Sequence, residues 1–523
     1  MLRLFIPLTL LLMSLGGVTG CDQSAQNSVE IKVLAGSELK DIEPMLDEIQ
    51  RQTGVRLKMN YIGTLDGAEK IVKGQEAFDL AWFSHAKYLS LLQGQSKRML
   101  AQEKIGLSPV IPAVRESLAR KWGWLDNPKV TWSDIADKVM AGEFKYAMSD
   151  PTASNSGFST VMGVQAAFSG SSDVIAATDV DFARLKGFFS GQQVTSGSSG
   201  WLAEVYIRDQ DRLDGLFNYE SVLMQMNLGG QLQERLVLIY PKEGIVTADY
   251  PLILLNPALQ EAFQKLVTYL TSAEFQAWMM NTTYRRPVNP EVKPGPQFPS
   301  QYLMELPFPN NIETVNEILF AYLNENRRPS HSFFVLDVSG SMGGQRLNSL
   351  KQAIANLTGA DKSISGQFAR FRNREKVTII AFNDSIKSEA EFNIEGSGSG
   401  NDSMRQINAY VDSFQAGGGT AVYDALRLAY EQAGAARAQT PDRFYSIVLM
   451  SDGDSNNGMN YQDFDRYYRE HSDEVADIRT FPVLFGEANE AEMQMLAERT
   501  GGRLFDSRKH TLAEVFKSIR GYQ

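Results

Sequence analysis

With 523 residues, 43% of them apolar, the chain has material for two or three cored units at roughly 150 residues each and no sign of a disordered body. A formal net charge of −11 argues against a phosphate-backbone partner, so no nucleic acid is expected. The four histidines (His85, His331, His471, His510) stand singly without a ligand-spaced neighbour, which argues against structural zinc, and the lone Cys21 rules out a disulfide within the chain.

The chain opens with Arg3 and an apolar run to Leu15, too short to span a bilayer comfortably, followed by small residues. This pattern predicts a secretion signal over 1–20. Val18-Thr19-Gly20-Cys21 resembles the bacterial lipobox, which implies that Cys21 carries a lipid and becomes the new N-terminus. Acyl burial at about 0.8 kcal/mol per methylene would then anchor the chain without spanning the membrane. Asp22 after the lipidated cysteine resembles an inner-membrane retention signal, so the body is expected to face the periplasm or exterior. Residues 21–28 read as a polar tether.

From Val29 short apolar runs alternate with amphipathic ones. The pattern predicts strands over 29–34, 55–61 and 80–83 and helices over 39–54 and 67–74, a βαβ arrangement with a mainly parallel sheet. Lys104 to Val114 reads as a strand entering a second lobe, and Leu236 to Tyr240 as the strand returning. Prolines crowd between Val288 and Pro309 and predict an extended connector; a helix over 312–323 follows, within a linker at 306–330. The final unit begins at His331. It has predicted strands over 333–336, 377–382, 445–450, 480–485 and 503–506, and helices over 421–434, 490–500 and 512–519.

In that last unit three predicted strands end on oxygen-rich loops. Phe333-Phe-Val-Leu336 delivers Asp337-Val-Ser339-Gly-Ser341; Tyr445 to Met450 delivers Ser451-Asp452-Gly453-Asp454; and Gly417-Gly-Gly-Thr420 opens a helix, with Thr420 expected as its N-cap. Asp-x-Ser-x-Ser, a later Thr after glycines and a later Asp-Gly, in this order, resemble the metal-ion-dependent adhesion site of von Willebrand factor A (VWA) domains. The resemblance covers 331–523 and implies a doubly wound, Rossmann-like α/β fold. It also implies a Mg²⁺ (or Mn²⁺) held by the hydroxyls of Ser339, Ser341 and Thr420 and by Asp337 and Asp452, directly or through water. Hydroxyl donors suit a small hard cation. Two carboxylates only balance its charge, so a carboxylate from a protein partner can complete the octahedron. Asp454 is read as facing solvent.

Residues 29–305 resemble the bilobal solute-binding proteins of bacterial importers, of the type II periplasmic class. The likeness rests on the βαβ lobes, on Trp132-Ser-Asp-Ile135, and on Asp150 to Gly157 before a helix. It rests also on Tyr219-Glu-Ser221 followed by Tyr240-Pro-Lys-Glu-Gly244. It implies a small-ligand cleft touched by Ser37, Ser84, Ser156 and Glu220. No nucleophile with an adjacent base appears, so no enzyme is expected. The whole chain then reads as a lipid-anchored extracytoplasmic binding protein that engages a protein through its metal. The alternative is an ABC-type transport receptor whose A domain docks the permease.

Overall fold

The computed structural model describes residues 29–74, 77–170, 175–299, 303–396 and 401–523. The signal at 1–20, Cys21 and the tether at 21–28 lie outside them. The first sheet pairs Val29–Ala35 in parallel with Val55–Tyr61 on one side and Leu80–Trp82 on the other; Pro251–Leu254 and Ala101–Lys104 complete it antiparallel. Ile31, Val33, Leu57, Leu80 and Trp82 are buried in its core. The predicted helix over 39–54 is split into a 3₁₀ segment, Ser37–Met45, and an α-helix, Leu46–Thr53. Pro44 lies at the break, and an imide without an N–H cannot sustain an α-helical interior. Gly54, at φ 70°, stops the helix in the left-handed region.

The chain crosses to the second lobe between Lys104 and Gly106, as the sequence suggests. Gly106–Arg115 organises the second sheet, flanked by Val246–Ala248 and Gly215–Tyr219, with Tyr146–Ser149 and Gln192–Ser196 beyond. The return is not at Leu236. Leu236–Leu238 pairs with Gly106–Arg115 inside the second lobe, and the chain recrosses only between Ala248 and Pro251. An apolar run announces a strand without saying which of two neighbouring sheets will take it.

The third sheet has the order Ile386–Asn393, Lys376–Phe382, Ser330–Asp337, Phe444–Ser451, Arg479–Leu484, Phe505–Asp506, all parallel except the first, which is an antiparallel edge. Numbered within the unit this is 3-2-1-4-5-6, the doubly wound order. Alternation along the central strand feeds two cores. Phe334 and Leu336 pack with Leu350, Ile354, Ile407, Val515 and Phe516, while Phe333 and Val335 pack with Leu426, Tyr430, Phe464 and Leu496.

The connector is itself packed. Val315, Ile318, Leu319 and Tyr322, on and just after the helix Ile312–Ala321, lie in one core with Trp132, Phe158, Phe188 and Phe217 of the second lobe. The third unit then lies against both lobes. Toward the first, Glu69 on the helix Thr64–Lys73 accepts from the backbone N–H of Ile364 (2.9 Å) and Ser365 (3.0 Å), and Asp66 meets Lys517 at 2.7 Å. Toward the second, Asp209 meets Arg479 at 2.6 Å, and the Trp201 ring packs edge-on against Tyr522 with centroids 4.9 Å apart. The close fit at Gly197 is obligatory, because a Cβ there would fall 2.2 Å from the Tyr522 ring.

Candidate functional site

The switch point of the third sheet lies between Ser330–Asp337 and Phe444–Ser451, where the windings diverge and ligand crevices form beyond the strand ends. Asp337, fully buried, ends the first strand; its Oδ1 accepts from the Ser339 N–H (2.7 Å) and its Oδ2 from the Ser451 hydroxyl (2.7 Å). Ser339 and Ser341 hydroxyls stand 3.1 Å apart, and Ser341 donates to Asp452 Oδ1 at 2.7 Å. The glycine loop is bound to this turn by Gly340 N–H to Gly418 C=O (3.0 Å) and Gly417 N–H to Val338 C=O (2.9 Å). Four of the five residues singled out in the sequence are thus directly linked or one hydrogen bond apart, and Thr420 sits on the loop bonded to them.

Thr420 is not the N-cap. That position belongs to Ala421, one residue on, before the helix Val422–Gln439. Its backbone is fixed by Asn456, which accepts from the Thr420 N–H (2.9 Å) and donates its own N–H to the Thr420 carbonyl (2.9 Å). Among the described residues no hydrogen bond engages the Thr420 hydroxyl. Asp454 is exposed, as the sequence reading has it.

Ser451, Asn456 and Arg346 complete the surroundings; Ser451 stands in the run already read from the sequence, while Asn456 and Arg346 carried no signal of their own. Arg346 reaches Asp452 Oδ2 at 2.5 Å, so that carboxylate has a cation on one side. Among the described residues Asp337 has none: burial pushes its carboxyl up, opposed only by hydroxyl and amide donors, and the neighbouring Asp452 pushes it further. Two carboxylates and three hydroxyls, with the deeper carboxylate lacking a counter-charge, are a donor set that fits a small hard cation.

A cavity of about 1770 Å³ opens between the two N-terminal lobes and runs out along the third unit. Ser37 lines it. Ser84 is not among the residues that line it: it is fully buried, its hydroxyl unpartnered among the described residues, in the neighbourhood of Glu38 and Tyr219. Two of the four cleft residues expected from the sequence are turned to other work. Ser156 is fully buried and spends its hydroxyl on Ser149 (2.7 Å) and Ser154 (3.2 Å) at the start of the helix Asn155–Ser169. Glu220 is fully buried and gripped bidentately by Arg286 at 2.7 Å to each oxygen, with Tyr240 donating as well; a carboxylate so paired has nothing left for a solute. The floor is instead made by Glu38, Asp41, Asn155, Tyr219, Tyr250 and Arg285. Burial pushes the carboxyls of Glu38 and Asp41 up, opposed at Glu38 by its own backbone, the Ser84 hydroxyl and Arg285, and at Asp41 by Arg285. These six come from five separate stretches of chain, and no short motif joins them.

Residues 31–285 match the family model of bacterial extracellular solute-binding proteins, and residues 333–518 that of the von Willebrand factor type A domain. Among curated proteins, a Synechocystis protein, sll0103, is 28% identical over 137 residues, 26% of this chain and 28% of that one. The human inter-alpha-trypsin inhibitor heavy chain H3 is 26% identical over 156 residues, 29% of this chain and 16% of its own length. The chain therefore spans well under a third of the curated relatives it matches. Solved structures include the periplasmic binding protein AfuA of Actinobacillus pleuropneumoniae with fructose-6-phosphate bound (14% identity, TM-score 0.44, 57% of this chain and 98% of that one). A von Willebrand factor type A protein of Catenulispora acidiphila aligns at 16% identity and a TM-score of 0.30, covering 38% of this chain and 43% of that one.

Proposed function

Because the chain combines a bacterial extracellular solute-binding domain with a von Willebrand factor type A domain, we propose that it is a membrane-anchored extracytoplasmic binding protein that engages a protein partner through a divalent cation on the A domain. The observation that carries this reading is the convergence of Asp337, Ser339, Ser341 and Asp452, with Thr420 on the loop bonded to them, at the switch point of the sheet. Mg²⁺ or Mn²⁺ would be held by the three hydroxyls and the two aspartates, and when bound it supplies an electrophilic centre for a carboxylate of the partner. Arg346, half-exposed beside Asp452, adds a positive rim that favours the same carboxylate. None of the five residues lines the cavity, which leaves the metal face to a second molecule.

Cys21 supplies the lipid anchor in this reading. No helix among the described residues is long and apolar enough to cross a membrane. The test is co-purification from detergent-solubilised native membranes. A partner should be retained with Mg²⁺ and lost with chelator or in Asp337→Ala, and Cys21→Ala should move the chain out of the membrane fraction. Retention of the same partner in chelator and in Asp337→Ala would overturn the metal-dependent reading. The cavity between the lobes supports a second reading, a transport receptor with an A domain that docks a permease; a permease as the retained protein decides for it.

A further inference from the structure

The cavity floor carries buried polar groups without partners and more carboxylates than cations, and both bear on what it can hold. Among the described residues Glu38 Oε1, Asp41 Oδ1 and Asn155 Oδ1 are buried acceptors without a partner, and the hydroxyls of Tyr250 and of Ser84, beside Glu38, are unpartnered as well. Asn155 is 3% exposed and already spends its amide nitrogen on the Tyr219 hydroxyl at 3.1 Å. A buried acceptor left without a donor costs about 1–3 kcal/mol, more when it is charged, and the two neutral hydroxyls beside these acceptors bring no charge to balance the carboxylates.

The basic group of the floor is committed. Arg285, 2% exposed, gives Nη1 to Asp41 Oδ2 (2.7 Å) and Nη2 to the Glu38 carbonyl (3.0 Å), and its guanidinium lies 4.4 Å over the Tyr250 ring. Its Nε alone is unpartnered. The helix Asn155–Ser169 also opens on the cavity, and a helix start by itself favours an anion. Asp150, 1% exposed and bonded through its carboxylate to the Thr152 N–H at 2.7 Å, already places a negative charge just ahead of that start. Glu38 and Asp41 of the floor, with Asp150 beside it, thus set three carboxylates against the one guanidinium of Arg285.

We propose that this chamber binds a small organic cation, whose ammonium or guanidinium group donates hydrogen bonds to Glu38, Asp41 and Asn155. The proposal rests on the reading of the cleft as a solute site and narrows it to a chemical class. Burial pushes both carboxyls up, and a cationic group seated beside them would favour their charged form. The chamber has a third wall besides the two lobes, because Asp361, Arg503 and Tyr522 of the A domain line it as well.

Thermal melting of the full chain with putrescine, agmatine, sulfate and ribose, followed by a mixed pool of other anions and sugars, tests this. Putrescine or agmatine should raise the melting temperature, and Glu38→Gln, which is isosteric and leaves the Arg285 pairing with Asp41 intact, should weaken that response at least about tenfold. The variant should melt no lower than wild type without ligand, because it removes a carboxyl that burial disfavours and keeps its shape. A shift from sulfate, ribose or the pool with silence from both amines leaves the cleft a solute site and overturns the cationic assignment, as does an amine response unchanged in Glu38→Gln. Silence from every compound overturns both readings.

Discussion

Asp337 and Glu220 are both fully buried carboxylates, and their neighbours separate them. Glu220 has Arg286 on both oxygens, whereas Asp337 has only two hydrogen-bond donors of no charge. The sequence made the first of these look like a cleft residue because Tyr219-Glu-Ser221 fits a family pattern, and nothing local announced the arginine 66 positions away. The oxygen-rich loops of the third unit were legible because each is a short run fixed to a strand end or a helix start. The floor of the cleft was not, since its residues meet only after two lobes have folded. Histidines make a residue-scale prediction. His85 is 1% exposed, packs at 5.5 Å on Phe158 and has no partner for either ring nitrogen. Burial, with Lys87 adding, holds it down at about 3, and burial holds His331 down at about 4. Both stay neutral in the fold but take up a proton near pH 6.5 when unfolded. Their contribution is therefore complete above about pH 6.5 and is lost as pH falls toward 3, at up to about 1.4 kcal/mol per pH unit for each. Urea midpoints between pH 7 and 4 should fall less steeply in His85→Leu than in wild type; parallel slopes would contradict this account.

At the scale of elements, helix and strand positions were read well where period and caps agree. Glu490–Thr500 and Val55–Tyr61 fall where the pattern puts them, with Asn489 capping the former and Gly501 ending it. Pro44 and Ala421 show where pattern alone is insufficient, because a backbone hydrogen bond or a cap is shifted by one local residue. The strut between connector and closing helix was not foreseeable. Glu375, 2% exposed, accepts from Arg327 of the connector and from Arg520 at the end of Leu512–Arg520 (2.8 and 2.6 Å); burial pushes its carboxyl up, but the two guanidiniums more than offset that. Glu375→Gln leaves two buried cations under-compensated and should cost about 3–5 kcal/mol in denaturant unfolding. Glu391→Gln, which removes an exposed pairing with Lys376, should cost under about 1 kcal/mol. Equal losses in the two variants would remove the strut from the account.

On the scale of the molecule, two units and a proline-rich connector were visible in the sequence, and their docking was not. Trp201, Phe481 and Tyr522 each look like a core residue of their own unit, yet they pack together across the boundary. Because the A domain holds the first lobe through Glu69 and Asp66 and the second through Asp209 and Trp201, the lobes should be unable to change their separation while it is docked. Spin labels at Arg56→Cys and Lys186→Cys, one exposed position on each lobe, should give a single narrow distance in the otherwise native chain. That distance should broaden on adding Glu69→Gln and Tyr522→Ala; a distribution unchanged by those substitutions would show that the lobes do not need the clasp. The central claim is the cation on the A domain, and titration calorimetry of the full chain with Mg²⁺ addresses it most directly. One ion per chain should bind with measurable heat and, at a hundredfold excess over its dissociation constant, stabilise the fold by about 2.7 kcal/mol, with both effects gone in Asp337→Ala. A wild-type chain that gives neither heat nor a melting shift with Mg²⁺ or Mn²⁺ would contradict the account.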